Sequence, residues 1–331
     1  MTNTERFQSI LNGKLPDDRL PVIEWASWWD LTLERWEKEG LTVPRGDELF
    51  RHFGLDVFHQ HWLQNKTADC PKPAYNGAPI MDDEDDYEHL KPMLYPEHAI
   101  DPVIESLRET KPAHESGDIV IWYTLEGAFW FPRTLFGIEN HFYSFYDYPE
   151  LYHRILDDLS NFYLRQLEKI YAVCTPEFMT FAEDMSYNLG PMLSEKMFDE
   201  FLLPFYQKLI PYIHAHGTKV IIDSDGDISL MVPWLIRAGI DGVLPLERKA
   251  GVDLNALSEQ YPDFLFIGGF DKMVMKDGEA AMRKEFERLL PVMKKGHYIP
   301  SVDHQTPPDV SLETYHVYLK LLNEYAEKAV K

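Results

Sequence analysis

The sequence predicts an α/β protein, a single (β/α)8 barrel of the TIM-barrel class spanning residues 1–331. Three observations predict it. Short β-rich runs alternate with segments of helical apolar spacing, and eight such runs can be counted along one chain. No GxGxxG or GxxxxGK[ST] glycine loop follows an early run, which removes the main support for the rival, an open doubly wound sheet.

The elements follow in order. Leu20–Trp25 and Leu55–His59 supply the first two strands. Residues 60–92 form an excursion, a hairpin or loop and not a domain boundary, because Asn65–Pro79 is rich in Pro and Gly and Met81–Glu88 (MDDEDDYE) reads as a solvated acidic loop. Pro102–Thr110 and Pro149–Ala172 have helical spacing, with the strand Asp118–Tyr123 between them. Phe178–Glu183 is a strand. Ser194–His216 is a long amphipathic helix with a bend expected at Pro204 or Pro211. Strands at Thr218–Ile222, Gly242–Leu246, Phe264–Gly268 and His297–Pro300 then alternate with helices at Ile228–Ala238, Leu254–Tyr261, Gly278–Lys295 and Leu312–Val330. Gly239 is the expected stop of the first of these helices.

Charge narrows the partners. The chain carries 32 Lys plus Arg against 55 Asp plus Glu, a net charge of −23. Phosphate backbones and anionic bilayers would repel it, so neither nucleic acid nor membrane is expected as a partner. Cys70 and Cys174 are the only cysteines, with no CxxC, which points to a reducing cytoplasm. No secretory signal and no bilayer-length apolar run is present.

In a barrel of this kind the chemistry lies at the C-terminal ends of the strands. Those ends carry Glu24-Trp25, Glu126, Glu183-Asp184, Asp223-Ser224-Asp225-Gly226-Asp227, Glu247, Asp271-Lys272, and His297 leading to Asp303-His304. Asp227 and Asp271 also suit helix caps. As a set, converging carboxylates repel and require a metal, a proton or a cationic group to offset them. Asp223 and Asp225 are two apart and share a face if the strand continues, with Gly226 turning the chain. DSDGD is not an EF-hand, since Val232 occupies the place of the required Glu. Glu183, Asp184, Glu247, Asp303 and His304 are the candidates for acid–base work or substrate hydrogen bonds. Glu24, Trp25, Trp130 and Asp271 are candidate substrate contacts. Trp25, Trp28, Trp29, Trp122, Phe129, Trp130 and Phe131 gather near the first and third strand ends, as core or as the wall of an apolar pocket.

From Phe181 to Tyr315 the blocks AEDMSYNLGPMLSEKMFDEFLLPFY, HAHGTKVIIDSDGDI, IRAGIDGVLPLE, IGGFDK and GHYIPSVDHQTPPDVSLETY resemble the uroporphyrinogen decarboxylase superfamily. That superfamily holds the haem-pathway decarboxylase and zinc methyltransferases that act with corrinoid proteins, all (β/α)8 barrels. The chain departs from both patterns. Where the decarboxylase has Met-Arg-Gln-Ala-Gly-Arg, VIEWASWWD stands here, without arginine. Where the methyltransferases have His-x-Cys and Gly-Cys-x-Ile-Pro, Asp223-Ser-Asp225 and Gly296-His297-Tyr-Ile-Pro stand here. The resemblance therefore implies Asp223, Asp225 and His297 as ligands of a harder divalent metal (Zn²⁺, Mn²⁺ or Fe²⁺) or as polar clamps. It implies methyl transfer from a small organic substrate, with a corrinoid or folate carried by a partner protein. Decarboxylation of a porphyrinogen-like or smaller carboxylate, and a non-catalytic binding subunit, are the alternatives.

Overall fold

In the computed structural model, which describes residues 1–331, seven strands form one parallel sheet whose spatial order follows the chain. They are β1 (Val57–Trp62), β2 (Ile119–Glu126), β3 (Phe178–Ala182), β6 (Lys219–Asp223), β7 (Gly242–Leu244), β8 (Leu265–Phe270) and β9 (Tyr298–Val302). The two intervening strands, β4 (Ser186–Tyr187) and β5 (Gly190–Pro191), make a small antiparallel hairpin just beyond β3. The central strands read as near-continuous apolar runs because helices cover one face and the barrel interior the other. Every residue of β3, β8 and β9 is buried.

The expected first strand, Leu20–Trp25, is not laddered into the sheet, and this is a correction. Pro21 has no N–H to donate. The segment still fills the eighth position, between β1 and β9. Val22 O accepts from Asp56 N at 2.8 Å on one side, while Ser301 Oγ donates to Ile23 O and Trp25 Nε1 to Val302 O on the other. A single backbone bond and several side-chain bonds thus stand in for a full ladder and close a TIM-barrel-type α/β fold.

One helical expectation is met and two further expectations are corrected. The segment Ser194–His216 is helical without a break from Glu195 to Ala215, and its irregularity falls beside Pro204, where a π-helical turn over Phe198–Leu202 precedes the regular helix Leu203–Ala215. Pro204, without a donor, cannot continue the regular ladder there. The acidic run is not a loop, since Glu84–Leu90 is helical. Asp83 caps it through Asp86 N, and carboxylates suit its N-terminal turn. The aromatic residues do not form one wall. Trp122 stacks in the core with Phe58 and Phe178, Trp28 with Trp36 and Phe53, and Phe129 with His141, while Trp29 is exposed.

The excursion folds over the C-terminal end of β2. A single antiparallel bridge joins Lys66 to Leu94 at its base. Its far side is pinned to the helices that follow β2: Ile138 N donates to Gly77 O, and Ile80 N to Leu135 O. Gly137 allows this approach, because a Cβ there would lie 2.5 Å from Pro79 N. No helix is long and apolar enough to cross a membrane.

Candidate functional site at the C-terminal rim

Five carboxylates converge beyond the ends of β3, β6, β7 and β9. Asp223 ends β6. Ser224 turns inward and is buried, its hydroxyl within 3.0 Å of Ser186 Oγ, so Asp223 and Asp225 fall on the same side. Gly226 lets the chain turn against the β4 backbone, where a Cβ would lie 2.6 Å from Tyr187 N. Its own N–H donates to Glu247 Oε2 at 2.9 Å. Asp184, at a left-handed φ of 44°, accepts weakly from Asp225 N at 3.5 Å.

Mutual repulsion and lost hydration act together here. Burial first, then Asp184 and Glu247, push the Asp225 carboxyl up to about 7. The Asp223 backbone carbonyl accepts from Glu183 N at 2.9 Å, but no protein donor reaches its carboxylate. Burial, Asp184 and Asp225 hold it well above the usual carboxylate range. Asp184 is raised by burial in spite of Arg133 and His304 nearby. One ammonium and one imidazole face the set. Lys272 Nζ lies 3.8 Å from Asp303, and His304 Nε2 lies 3.8 Å from Asp225 Oδ2. Lys272 stands just after β8, a strand-end position legible in the sequence, although only the fold shows it facing the carboxylates.

Asp303 belongs to the rim as a brace. It is buried, accepts from Arg248 N at 3.1 Å and Lys272 N at 3.2 Å, and is pushed up by burial to about 6. It thereby ties the loops after β7 and β8 together. Asp271 caps the short helix Lys272–Asp277 through Met273 N, and its other oxygen lies 3.3 Å from Lys249 Nζ. Trp25 is anchored through its indole N–H and meets the His304 ring edge-on at 6.3 Å.

Glu183 is turned away from the mouth. Its carboxylate accepts the N–H groups of Ala128, Phe129 and Trp130 at 2.7, 2.7 and 3.1 Å, together with the Tyr206 hydroxyl. Gly127 makes the cradle possible, since a Cβ there would lie 2.0 Å from the Glu183 carboxyl. Burial still pushes Glu183 up to about 7. Glu24 is wholly buried. Tyr315 donates to Oε2 at 2.7 Å, Oε1 has no partner, and burial pushes the carboxyl up to about 8. Trp130 lies apart from Trp25, under the Arg133 guanidinium at 4.9 Å.

The structure does not bring His297 to Asp223 and Asp225. It precedes β9, whereas Asp223 ends the parallel strand β6, so the two lie at opposite ends of the barrel. His297 has a left-handed φ of 53°, and its Nδ1 lies 3.0 Å from Pro262 O, beside Gly13. The expected Asp/Asp/His metal trio is therefore not assembled. No group of three His, Cys, Asp or Glu is arranged to hold a metal ion. Neither cysteine supplies a thiolate: Cys70 lines a cavity in the excursion and Cys174 precedes β3. These residues do not fit a thiolate zinc centre.

No curated protein matches the chain by sequence. Among solved structures, a methyltransferase from Methanosarcina mazei superposes with a TM-score of 0.67 at 14% identity, covering 98% of this chain and 99% of the other. A putative vitamin-B12 independent methionine synthase from Listeria monocytogenes gives 0.51 at 13% identity, covering 95% and 98%. At such identities the likeness speaks for the barrel alone. The family described as uroporphyrinogen decarboxylase (URO-D) matches residues 69–325. That span takes in most of the excursion, every strand from β2 onward and all five rim carboxylates, so the chain belongs to the uroporphyrinogen decarboxylase family.

Proposed function

We propose that this chain catalyses methyl transfer from a small organic substrate held in the acidic mouth to an acceptor carried by a partner protein. The observation that carries the reading is Asp225: a carboxyl at about 7, beside His304 and facing Asp184 and Glu247, is a proton donor at neutral pH. Cleaving a heteroatom–methyl bond leaves an electron pair on the heteroatom. Asp225 supplies the proton that neutralises it, while the methyl carbon bonds to the acceptor. Asp225 then regains a proton from solvent, with the His304 Nε2 facing its carboxylate. The chain places no thiol at the rim, so the nucleophile comes from outside. A reduced corrinoid or a folate on a partner has the required electron pair.

Decarboxylation is the second reading. Lys272 is the feature that favours it, because an ammonium beside the mouth would attract a substrate carboxylate. The rim carboxylates that stay ionised oppose a polyanionic substrate there.

The test uses purified protein, reduced cobalamin as the acceptor, and a panel of O-, N- and S-methyl compounds, followed by the absorbance of methylcobalamin. Methyl transfer that Asp225→Asn loses supports the proposal. Release of CO₂ from carboxylate substrates, without methyl transfer, supports decarboxylation. Substrate binding with neither reaction leaves the non-catalytic reading.

A further inference from the structure

A cavity of about 640 Å³ lies between the excursion and the helix Trp130–Phe136. Its lining is the reverse of the mouth. It contains Lys66, Lys72 and Arg133 and not one Asp or Glu. In a chain with 55 acids against 32 bases, cations are readily paired. Arg154 meets Glu84 and Glu88, Arg237 meets Glu195 and Asp199, and Arg283 meets Glu279 and Glu324. The three cavity cations make no ion pair.

Lys72 is exposed, while Lys66 and Arg133 are held only by neutral groups. Lys66 is largely withdrawn from water. It donates to Thr134 Oγ1 at 2.6 Å and lies 5.6 Å from the Phe131 ring centroid. Glu126 attracts it from a distance but is engaged by Asn65 Nδ2. Burial lowers the Lys66 ammonium pKa, as expected of a cation short of counter-charge. Arg133 spreads over Trp130 and donates only to Asp184 O, at 3.3 Å, which leaves most of its five donors free. Thr67, also in the lining, has a buried hydroxyl with no partner. Ile80, Ile138 and several Ala and Pro residues complete the walls. The volume is that of a site for a small organic molecule and far exceeds a bare inorganic anion.

We propose that this cavity is a binding site for a multivalent organic anion, a polycarboxylate or a phosphate ester with an apolar body, whose charged groups meet Lys66, Lys72 and Arg133. The cavity adjoins the acidic mouth, since Arg133 in its lining donates to Asp184 O, but its ligand binding does not depend on the reaction performed there. The charge separation divides labour: the mouth repels anions, and this cavity collects them.

The experiment is calorimetric titration of the whole protein at low ionic strength with three probes: trimesate, adenosine monophosphate and inorganic phosphate. Trimesate or the nucleotide is expected to bind in the millimolar range or tighter, and which one binds better identifies carboxylate or phosphoryl chemistry. Lys66→Met and Lys72→Ala should each weaken that binding by about tenfold, the scale of one charge-assisted hydrogen bond. Raised salt should weaken it further. Lys72 is exposed, so Lys72→Ala keeps the test valid if Lys66→Met fails to fold. Failure of both organic probes to bind the folded wild-type protein overturns the proposal. Binding that survives both substitutions unchanged, or that inorganic phosphate matches, also overturns it. The readout is binding alone, so its failure is distinct from any failure of the methyl-transfer reading.

Discussion

The ring of His304 is oriented by its own neighbour: Nδ1 accepts the Gln305 N–H at 2.8 Å, which leaves Nε2 facing Asp225 Oδ2 at 3.8 Å. In the neutral ring the proton must then sit on Nε2, toward Asp225. Burial lowers the His304 pKa, with Lys272 adding to the effect, so the neutral ring predominates at neutral pH. Asp225 therefore faces a hydrogen-bond donor.

The first prediction follows from this pair. Asp225 keeps its proton below about 7 and loses it above. A rate that uses the proton falls as pH rises through that value. Asp225→Asn removes the proton but keeps the shape, so kcat should drop by about 10²–10⁴-fold and the alkaline limb should vanish. A pH–rate profile of both proteins decides.

Glu183 is predicted to hold the fold together and take no part in the chemistry. Glu183→Ala strands three backbone N–H groups and a tyrosine hydroxyl in the interior. It should cost at least about 3 kcal/mol of stability, while Tyr206→Phe should cost about 1 kcal/mol. Urea unfolding measures both, and a stable Glu183→Ala protein with altered kinetics would reverse the assignment.

Glu24 supplies a stability prediction with a definite sign. Its folded carboxyl lies near 8, against 4.5 for the free group, so stability associated with the neutral acid is full below the lower value and lost as pH rises through the upper. Glu24→Gln keeps a neutral group at every pH. Its Tm should match wild type near about pH 5 and exceed it by about 2 °C or more near about pH 9. A difference that does not grow with pH would show the carboxylate to be compensated.

His297 is predicted to have no influence on divalent ions at the rim. Calorimetric titration with Zn²⁺ or Mn²⁺ should give the same result for His297→Ala and wild type, whatever the affinity. Asp225→Asn should weaken any binding that occurs. Loss of binding in His297→Ala would contradict its position at the far end of the barrel.

The barrel was legible because strands buried on both faces leave uninterrupted apolar runs, as TKVII and FLFIG do. The first strand was the exception. Leu20–Trp25 has the apolar pattern of a strand, but Pro21 and the reach of Asp56 and Ser301 decide its bonding, and those partners are distant in sequence. The rim carboxylates could be placed from strand ends alone. His297 stands in a block that resembles the family's ligand motif, yet it precedes β9. The apolar run Tyr298–Val302 was the better guide, since a residue preceding a parallel strand cannot reach its C-terminal end. The basic cavity was illegible because Lys66, Lys72 and Arg133 meet only once the excursion folds back onto the helix after β2.

The closure at Leu20–Trp25 gives the barrel a seam. Elsewhere neighbouring staves are fastened by rows of amide bonds. Here one stave hangs from Asp56, Ser301 and the Trp25 indole, with Leu20 N tied to Ala326 O on the last helix. Such a joint parts at lower free energy than a full ladder, so amide hydrogens of this stave should exchange with solvent before those of β2 or β3. Trp25 lies on the seam and against His304. The part of the wall that yields most readily is thus also the part touching the proposed acid–base pair.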